Sequence, residues 1–273
     1  MNKPNPFEIK GKTILITGGG GALGSSMAQH LGIQGARVAI LDRRLENAEK
    51  VADAIRQAGG EAISLAGDVL DQSSLETALS QILQKWEHLD VLINAAGGNM
   101  AGATISPDQT IFDLSMDAFQ RVSELNLNGS VLPSLVFGAH MAQRKNGVIV
   151  NISSMTAQRA ISRVVGYSAA KAAIDNYTKW LACELALKFG EGLRVNAIAP
   201  GFFIGDQNRN LLLQPDGQLT ERGATIIRQT PMQRFGEAAE LNGTIQWLIS
   251  DAAKFVTGIV VPIDGGFSAY SGI

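Results

Sequence analysis

Short runs of apolar residues alternate along the chain with longer stretches in which apolar side chains recur every three or four positions. The runs KTILIT (12–17), RVAILD (37–42), EAISLAGD (61–68), DVLINAAGG (90–98), GVIVNISS (147–154), LRVNAIAP (193–200) and GIVVPIDGG (258–266) read as seven strands. Their continuous apolar character means that both faces are buried. Helical spacing appears in ALGSSMAQHLGIQGA, LENAEKVADAIRQAG, SSLETALSQILQKW and AELNGTIQWLIS. A long helix is expected over MDAFQRVSELNLNGSVLPSLVFGAHMAQ, kinked at Pro133, and another from about Tyr167 to Phe189. This alternation predicts one doubly wound α/β domain over residues 1–273, a parallel sheet with helices on both faces. Residues 1–11 form an N-terminal extension. Residues 202–235 show poor periodicity and read as a mobile lid over a substrate.

Composition narrows the class. Hydrophobic residues make up 45% and charged residues 18%, which suits a packed core rather than disorder. The formal charge is −2 and the pI about 6.0, so neither nucleic acid nor an acidic membrane surface is expected as partner. The N-terminal MNKPNPFEIKGK lacks the apolar run of a secretory signal. No stretch reaches the roughly 20 apolar residues that span a bilayer. Cys183 is the only cysteine, which excludes an internal disulfide and makes a reducing compartment the default. A cytoplasmic globular protein follows as the expectation.

Candidate chemistry gathers where strands end, the place where an open parallel sheet binds ligands. TGGGGALG (17–24) joins the first strand to the first helix and fits two patterns. Gly19, Gly21 and Gly24 satisfy G-x-G-x-x-G; Thr17, Gly18 and Gly24 fit T-G-x-x-x-G-x-G, with Ala22 in place of the middle glycine. Either way the backbone can approach a pyrophosphate at a helix N-terminus. In the second frame Ala22 and Leu23 enter the helix with ordinary helical φ/ψ, and Gly19, Gly20 and Gly21 supply the approaching amides. Asp42, ending the second strand 18 residues after Gly24, can accept hydrogen bonds from ribose hydroxyls and would repel a 2′-phosphate. NAD is therefore the expected cofactor. NADP is the alternative, because Arg43 and Arg44 follow at once. Asp68 and Val69 end the third strand where an adenine amino group would lie, and Asn94, Ala95, Ala96 and Gly97 end the fourth with small residues where a dinucleotide lies flat.

Ser154 ends the fifth strand, Tyr167 follows 13 residues later, and Lys171 stands four further on in YSAAK. At i, i+4 the tyrosine and lysine share a helix face, and a nearby ammonium, with the positive nicotinamide of the oxidised cofactor, favours the phenolate. Tyr167 can then exchange a proton with a substrate hydroxyl while Ser154 hydrogen-bonds the substrate oxygen. No metal is required, and His30, His88 and His140 are scattered without ligand spacing. From Thr17 to Gly266 the chain resembles the short-chain dehydrogenase/reductase family. The resemblance implies a seven-stranded Rossmann-like sheet and a homotetramer. It implies catalytic roles for Ser154, Tyr167 and Lys171, with Asn126 in LNLNG holding a water that links the lysine to solvent; Asn128 ranks below it. It also places Pro200 and Gly201, with Phe203 beyond them, beside the nicotinamide. Gly205 departs from the family threonine, leaving one carboxamide contact to a backbone group, Asp206 or Gln207. The Tyr–Lys spacing excludes the enoyl reductases of the family and favours carbonyl/alcohol chemistry.

Several stretches are similar to one branch, the fructuronate reductase (D-mannonate oxidoreductase) type: NAAGGN, SSMTAQR, YSAAKAAIDNYTKWLA, PGFFIGDQNRNLL and DGGFSAYSG besides TGGGGALG. The implied substrate is a small sugar acid, which needs polar partners and a cation; arginine can hold a carboxylate with two parallel bonds. Asn99, Arg159, Arg163, Gln207, Asn208 and Arg209 lie on loops at the strands' carboxyl side, with Arg209 and then Arg159 the preferred carboxylate partners, alongside Ser154 and Tyr167. Another polyol or sugar-acid dehydrogenase of the gluconate 5-dehydrogenase kind, a 3-ketoacyl reductase, and a catalytically silent dinucleotide sensor are the competing readings.

Overall fold

The first strand, β1 (Thr13–Thr17), feeds α1 (Ala22–Ile33) in a computed structural model that describes residues 5–205 and 208–272. In chain order follow β2 (Arg37–Asp42), α2 (Leu45–Gln57), β3 (Glu61–Ala66), α3 (Gln72–Trp86), β4 (Val91–Asn94), α4 (Met116–Ser123) and α5 (Gly129–Arg144). Then come β5 (Gly147–Ile152), α6 (Val165–Phe189), β6 (Leu193–Pro200), α7 (Arg209–Leu212), α8 (Glu221–Gln229), α9 (Asn242–Ile249) and β7 (Val260–Ile263). The seven strands form one sheet in the order β3-β2-β1-β4-β5-β6-β7, and every neighbouring pair is parallel. This is the single Rossmann-like domain that the strand–helix alternation predicts.

Two cores hold it together, one on each face. Successive strand residues point to opposite faces. Ile14, Ile16, Val38, Ile40, Val91 and Ile93 therefore pack with Met27 and Leu31 of α1, Ile55 of α2 and Ile245 and Leu248 of α9. Their neighbours Leu15, Ala39, Leu41 and Leu92 pack instead with Leu75 and Ile82 of α3, Phe137 and Met141 of α5, and Leu181 of α6. Each buried aliphatic or aromatic side chain contributes about 1.5–3 kcal/mol, so removing either helix layer would strip the sheet of half its support. Because α1 covers one face while α3 and α5 cover the other, the strand order reverses between β1 and β4. A crevice opens there beyond the carboxyl ends.

Two local expectations need correction. The break in the long helix predicted over 116–143 is a π turn at Glu124–Asn128, not a kink at Pro133. Pro133 lies five residues into α5, near enough to its start for the missing N–H to be tolerated, whereas a π turn inserts extra backbone and re-aims the side chains around it. The 202–235 segment is not structureless, since it carries α7 and α8. Thr220 caps α8 by accepting from Gly223 N at 3.0 Å and donates to the Leu211 carbonyl at 2.7 Å, tying the two helices together. The polar composition of α8, with only Gly223 and Ile226 buried, hid it from a search for apolar periodicity.

Candidate active site

The glycine turn after β1 is shaped by close approach. Gly18 has φ +62°, and a Cβ there would lie 2.7 Å from the Ala96 Cα at the end of β4. A Cβ on Gly24 would meet the Gly18 carbonyl oxygen at 2.6 Å. These two positions let the first turn of α1 settle onto the turn before it. The intervening amides face inward. Gly19 N donates to the Leu41 carbonyl (3.2 Å), Gly20 N to Asp42 Oδ2 (3.2 Å) and Gly21 N to the Gly18 carbonyl (3.0 Å). This corrects the expectation that Gly19, Gly20 and Gly21 present amides to a phosphate. Ala22 is the first residue of α1 with helical backbone, as expected, and Gly21 is an N-cap without a side chain. The first-turn amides of Ala22, Leu23 and Gly24 thus lack an intrahelical partner, and all three residues line the crevice.

The crevice is a cavity of about 690 Å³ running from the carboxyl end of β2 to the start of α6. At one end stand Asp42, Arg43 and Arg44, with Asp68 and Val69 beside them. Asp42 is pinned by its own neighbourhood, Oδ1 accepting from Arg44 N at 3.0 Å in addition to the Gly20 contact. Ala95, Ala96 and Gly97 form the floor. Thr17 and Asn94 do not reach the cavity and are corrected to supporting positions. Thr17 Oγ1 accepts from Ala95 N (3.2 Å) and Ala96 N (3.3 Å) from below. Asn94 Nδ2 donates to Ser134 Oγ (3.0 Å) and Asn151 Oδ1 (2.9 Å) between β4, β5 and α5.

At the other end Ser154, Tyr167 and Lys171 meet. Ser154 caps a single 3-10 turn, its Oγ accepting from Thr156 N at 3.2 Å, which fixes the hydroxyl just past β5. Lys171 Nζ donates to the Ile152 carbonyl at 2.7 Å and lies 5.6 Å from the centre of the Tyr167 ring. Burial pulls the lysine pKa down to about 8, opposed by Asp175 one turn further along α6. Burial raises the Tyr167 pKa, with the Ser154 hydroxyl acting in the opposite direction. The phenol is thus harder to ionise in its buried setting, and the expected bias toward phenolate requires the positive nicotinamide beside the Lys171 ammonium. Asn126 is fully buried in the π turn. Its Oδ1 accepts from Gly98 N (2.9 Å), and its Nδ2 donates to the Gly98 carbonyl (2.8 Å) and the Val122 carbonyl (2.8 Å). It holds the Gly97–Gly98 segment, both residues of which have positive φ, against Lys171.

The loop after β6 completes the wall through Pro200, Gly201, Phe203, Gly205 and Asn208. Here the candidate substrate groups fare unevenly. Asn208 uses both ends of its amide to close the turn, accepting from Gly205 N (2.8 Å) and donating to the Phe203 carbonyl (2.8 Å). The same bond takes up the Gly205 amide that could have replaced the missing threonine. Arg159 is turned away, donating to the carbonyls of Ser268 (2.8 Å) and Tyr270 (2.9 Å) in the C-terminal tail. Arg209 is exposed on α7 and does not border the cavity. Asn99 donates to Thr104 Oγ1 at 2.7 Å and also lies outside the lining. Gln207, like Asp206, falls outside the described residues. Among the described residues no group of three or more His, Cys, Asp or Glu side chains is placed to hold a metal ion, and no helix is long and apolar enough to cross a membrane.

Sequence reading missed several lining groups: Met100, Arg121, Glu124, Ile152, Ser153 and Gly98. Gly98 had a signal in the second glycine of NAAGGN. The positions of Arg121 and Glu124 depend on the π turn, which nothing in a 3.6-residue period announces.

Residues 12–215 match the family model described as short chain dehydrogenase. An uncharacterised oxidoreductase, UxuB, of Bacillus subtilis (strain 168) is 46% identical over 275 residues, covering 97% of this chain and 98% of that one. A proposed D-mannonate oxidoreductase from Haemophilus influenza, solved with bound NAD, superposes with a TM-score of 0.91 at 42% identity over 97% of this chain and 98% of its own. A proposed NAD(P)-dependent gluconate 5-dehydrogenase from Beutenbergia cavernae, solved with NADP at low occupancy, gives 0.84 at 31% identity, covering 97% and 100%.

Proposed function

The chain belongs to the short chain dehydrogenase family and is an oxidoreductase. We propose that it transfers hydride between a nicotinamide dinucleotide, NAD in preference to NADP, and a small keto or hydroxy sugar acid of the fructuronate/mannonate type. One observation carries this reading: Ser154, Tyr167 and Lys171 meet at one end of a cavity whose other end holds a capless helix start and Asp42. A dinucleotide fits what lines it. The floor is Ala95, Ala96 and Gly97, and even a methyl group on Gly97 would come within 2.7 Å of Asn126 Oδ1. Ala22 and Leu23 would take the pyrophosphate on free amides, and Asp42 the ribose hydroxyls, its charge repelling a 2′-phosphate. The cofactor, when bound, supplies or removes the hydride.

The chain's own side chains handle the proton. Tyr167, held neutral by burial, donates its phenolic proton to the oxygen of a carbonyl becoming an alcohol, and recovers it from solvent through the buried Lys171. Ser154 donates a hydrogen bond to the same oxygen and stabilises the charge developing there. Asn126, by clamping Gly98 and Val122, keeps the lysine's surroundings in place.

The substrate class is supported by the similarity to the proposed D-mannonate oxidoreductase and by the pattern of shared stretches. We further propose that 202–235, through Phe203, Gly205, Asn208 and the tied pair α7 and α8, closes over the substrate. A homotetramer is supported by Leu135 on α5 and Trp180 and Leu187 on α6, large apolar side chains left exposed. The exposed free thiol of Cys183 suits a reducing, cytoplasmic setting. The test is oxidation of NADH and of NADPH against a panel containing fructuronate, other keto sugar acids, neutral keto sugars and a 3-ketoacyl thioester. The proposal expects fastest turnover with NADH and a keto sugar acid. Preference for the thioester, or no turnover of any carbonyl, would reject it.

A further inference from the structure

Asp175 is a half-buried carboxylate on α6, the helix that carries Tyr167 and Lys171, and the proton path through those two residues does not include it. Among the described residues it forms no ion pair. Burial pushes its pKa up, opposed by the Ser153 hydroxyl, Lys179, Gln158 and Lys171. A carboxylate kept in such a place needs a strong hydrogen-bond partner. Ser153 supplies one, donating from Oγ to Asp175 Oδ1 in a charge-assisted bond.

That bond is one rung of a polar ladder between β5 and α6. Side chains two apart on a strand share a face, so Asn151 and Ser153 both turn toward the helix. Asn151 Nδ2 donates to Thr178 Oγ1 at 2.9 Å between two fully buried residues, and Ser153 meets Asp175 three positions earlier on α6. Residues three and four apart share a helix face, which puts Thr178, Asp175, Lys171 and Tyr167 in one row. Lys171 Nζ adds a third rung by donating to the Ile152 carbonyl at 2.7 Å. Strand and helix therefore stay in step up to the point where Ser154 and Tyr167 border the cavity. Ser153 is the last strand-side rung before Ser154. Its backbone N donates to the Ile198 carbonyl of β6 at 2.8 Å, so its main chain is held by a neighbouring strand and its side chain by the helix.

We propose that Asp175 is a positioning residue of the reaction: by holding Ser153 it sets the place at which β5 presents the Ser154 hydroxyl to the substrate oxygen beside Tyr167. The inference rests on the roles given to Ser154 and Tyr167 and adds the residue that keeps them in register. Asp175 itself is outside the cavity lining, so its action passes through Ser153, which is part of it.

The experiment measures kcat for NADH-dependent reduction of whichever carbonyl the wild type turns over fastest among fructuronate, other keto sugar acids, neutral keto sugars and a 3-ketoacyl thioester. The variants are Asp175→Ala, Asp175→Asn and Ser153→Ala, with Asp175→Ala also made in a Ser154→Ala background. Alanine favours helix, so Asp175→Ala keeps α6, and Ser153→Ala removes the same bond from the strand side. A displacement of about 1 Å can cost up to about a hundredfold, and loosening Ser154 should lower kcat about tenfold in both alanine variants. The NADH dissociation constant, from fluorescence titration, should stay within about twofold. Asparagine keeps an acceptor oxygen for Ser153 and should hold kcat within about threefold of wild type. Without the Ser154 hydroxyl nothing is left to position, so adding Asp175→Ala to Ser154→Ala should lower kcat by less than about twofold. An equal loss in both backgrounds, wild-type kcat in both alanine variants, or an asparagine as poor as alanine would overturn the positioning role and leave that of Ser154 standing. Undiminished kcat in Ser154→Ala alone, or no carbonyl turned over by the wild type, would overturn the role of Ser154 and that of Asp175 with it.

Discussion

Replacing Asn126 by alanine tests how the π turn serves the site. The side chain is fully buried and makes three hydrogen bonds of 2.8–2.9 Å, two to Gly98 and one to the Val122 carbonyl. A net contribution of about 1 kcal/mol per bond gives roughly 3 kcal/mol, more if the Val122 carbonyl is left unsatisfied. For a chain of this size that corresponds to a fall in Tm of about 5–10 °C. The loss has a functional side as well. Among the described residues the Asn126 amide is the only side chain that bonds the Gly98 backbone, so the Gly97–Gly98 floor should lose its fixed conformation. Circular-dichroism melting measures the first effect and fluorescence titration with NADH the second. The expectation is a lower Tm together with several-fold weaker cofactor binding. A Tm within about 2 °C of wild type would show that the three bonds do not contribute as argued. A normal melting loss with unchanged NADH affinity would refute the link between Asn126 and the cavity floor.

Two further outcomes follow from the same geometry. Asp42→Ala removes the charge that excludes a 2′-phosphate and should lower kcat/KM for NADH about tenfold or more while leaving or raising that for NADPH; equal losses with both cofactors would contradict the role given to Asp42. Lys171, with its folded pKa depressed to about 8, binds its proton less readily than in the unfolded chain, where a lysine titrates near 10.4, so its burial is most costly below pH 8 and the cost fades as pH rises through that window. Lys171→Met should therefore be more stable than wild type at neutral pH, with the gap shrinking by about 3 kcal/mol toward pH 10.5 in denaturant titrations; a pH-independent gap would refute the depressed pKa.

Much of this architecture is written in local pattern. KTILIT and LRVNAIAP are apolar on both faces because each strand lies between two helix layers, and that alone yields a parallel sheet. The order β3-β2-β1-β4 is not local, since it depends on which face each crossover helix covers; family likeness supplied only the seven-stranded Rossmann-like class. The spacing of Ser154, Tyr167 and Lys171 was legible because a strand end and one helix face carry all three. Loop electrostatics were not. Which arginine is free depends on carbonyls far away in sequence, as with Arg159 and Tyr270. The direction of the glycine amides depended on Leu41 and Asp42, residues of another strand. Arg222 sits on a helix too polar to register as one, so its meeting with Ser162 had no sequence signature.

The central claim is that Tyr167 passes the proton while the rest of the cavity holds the cofactor. Tyr167→Phe removes one oxygen and keeps the ring that packs with Ala103 and Met100. The measurement is kcat for NADH-dependent reduction of a keto sugar acid, alongside the NADH dissociation constant of the same preparation. The account predicts a fall in kcat of about a hundredfold to ten-thousandfold with cofactor affinity essentially unchanged. Turnover within about threefold of wild type would contradict it, because the proton would then have to come from a group other than Tyr167.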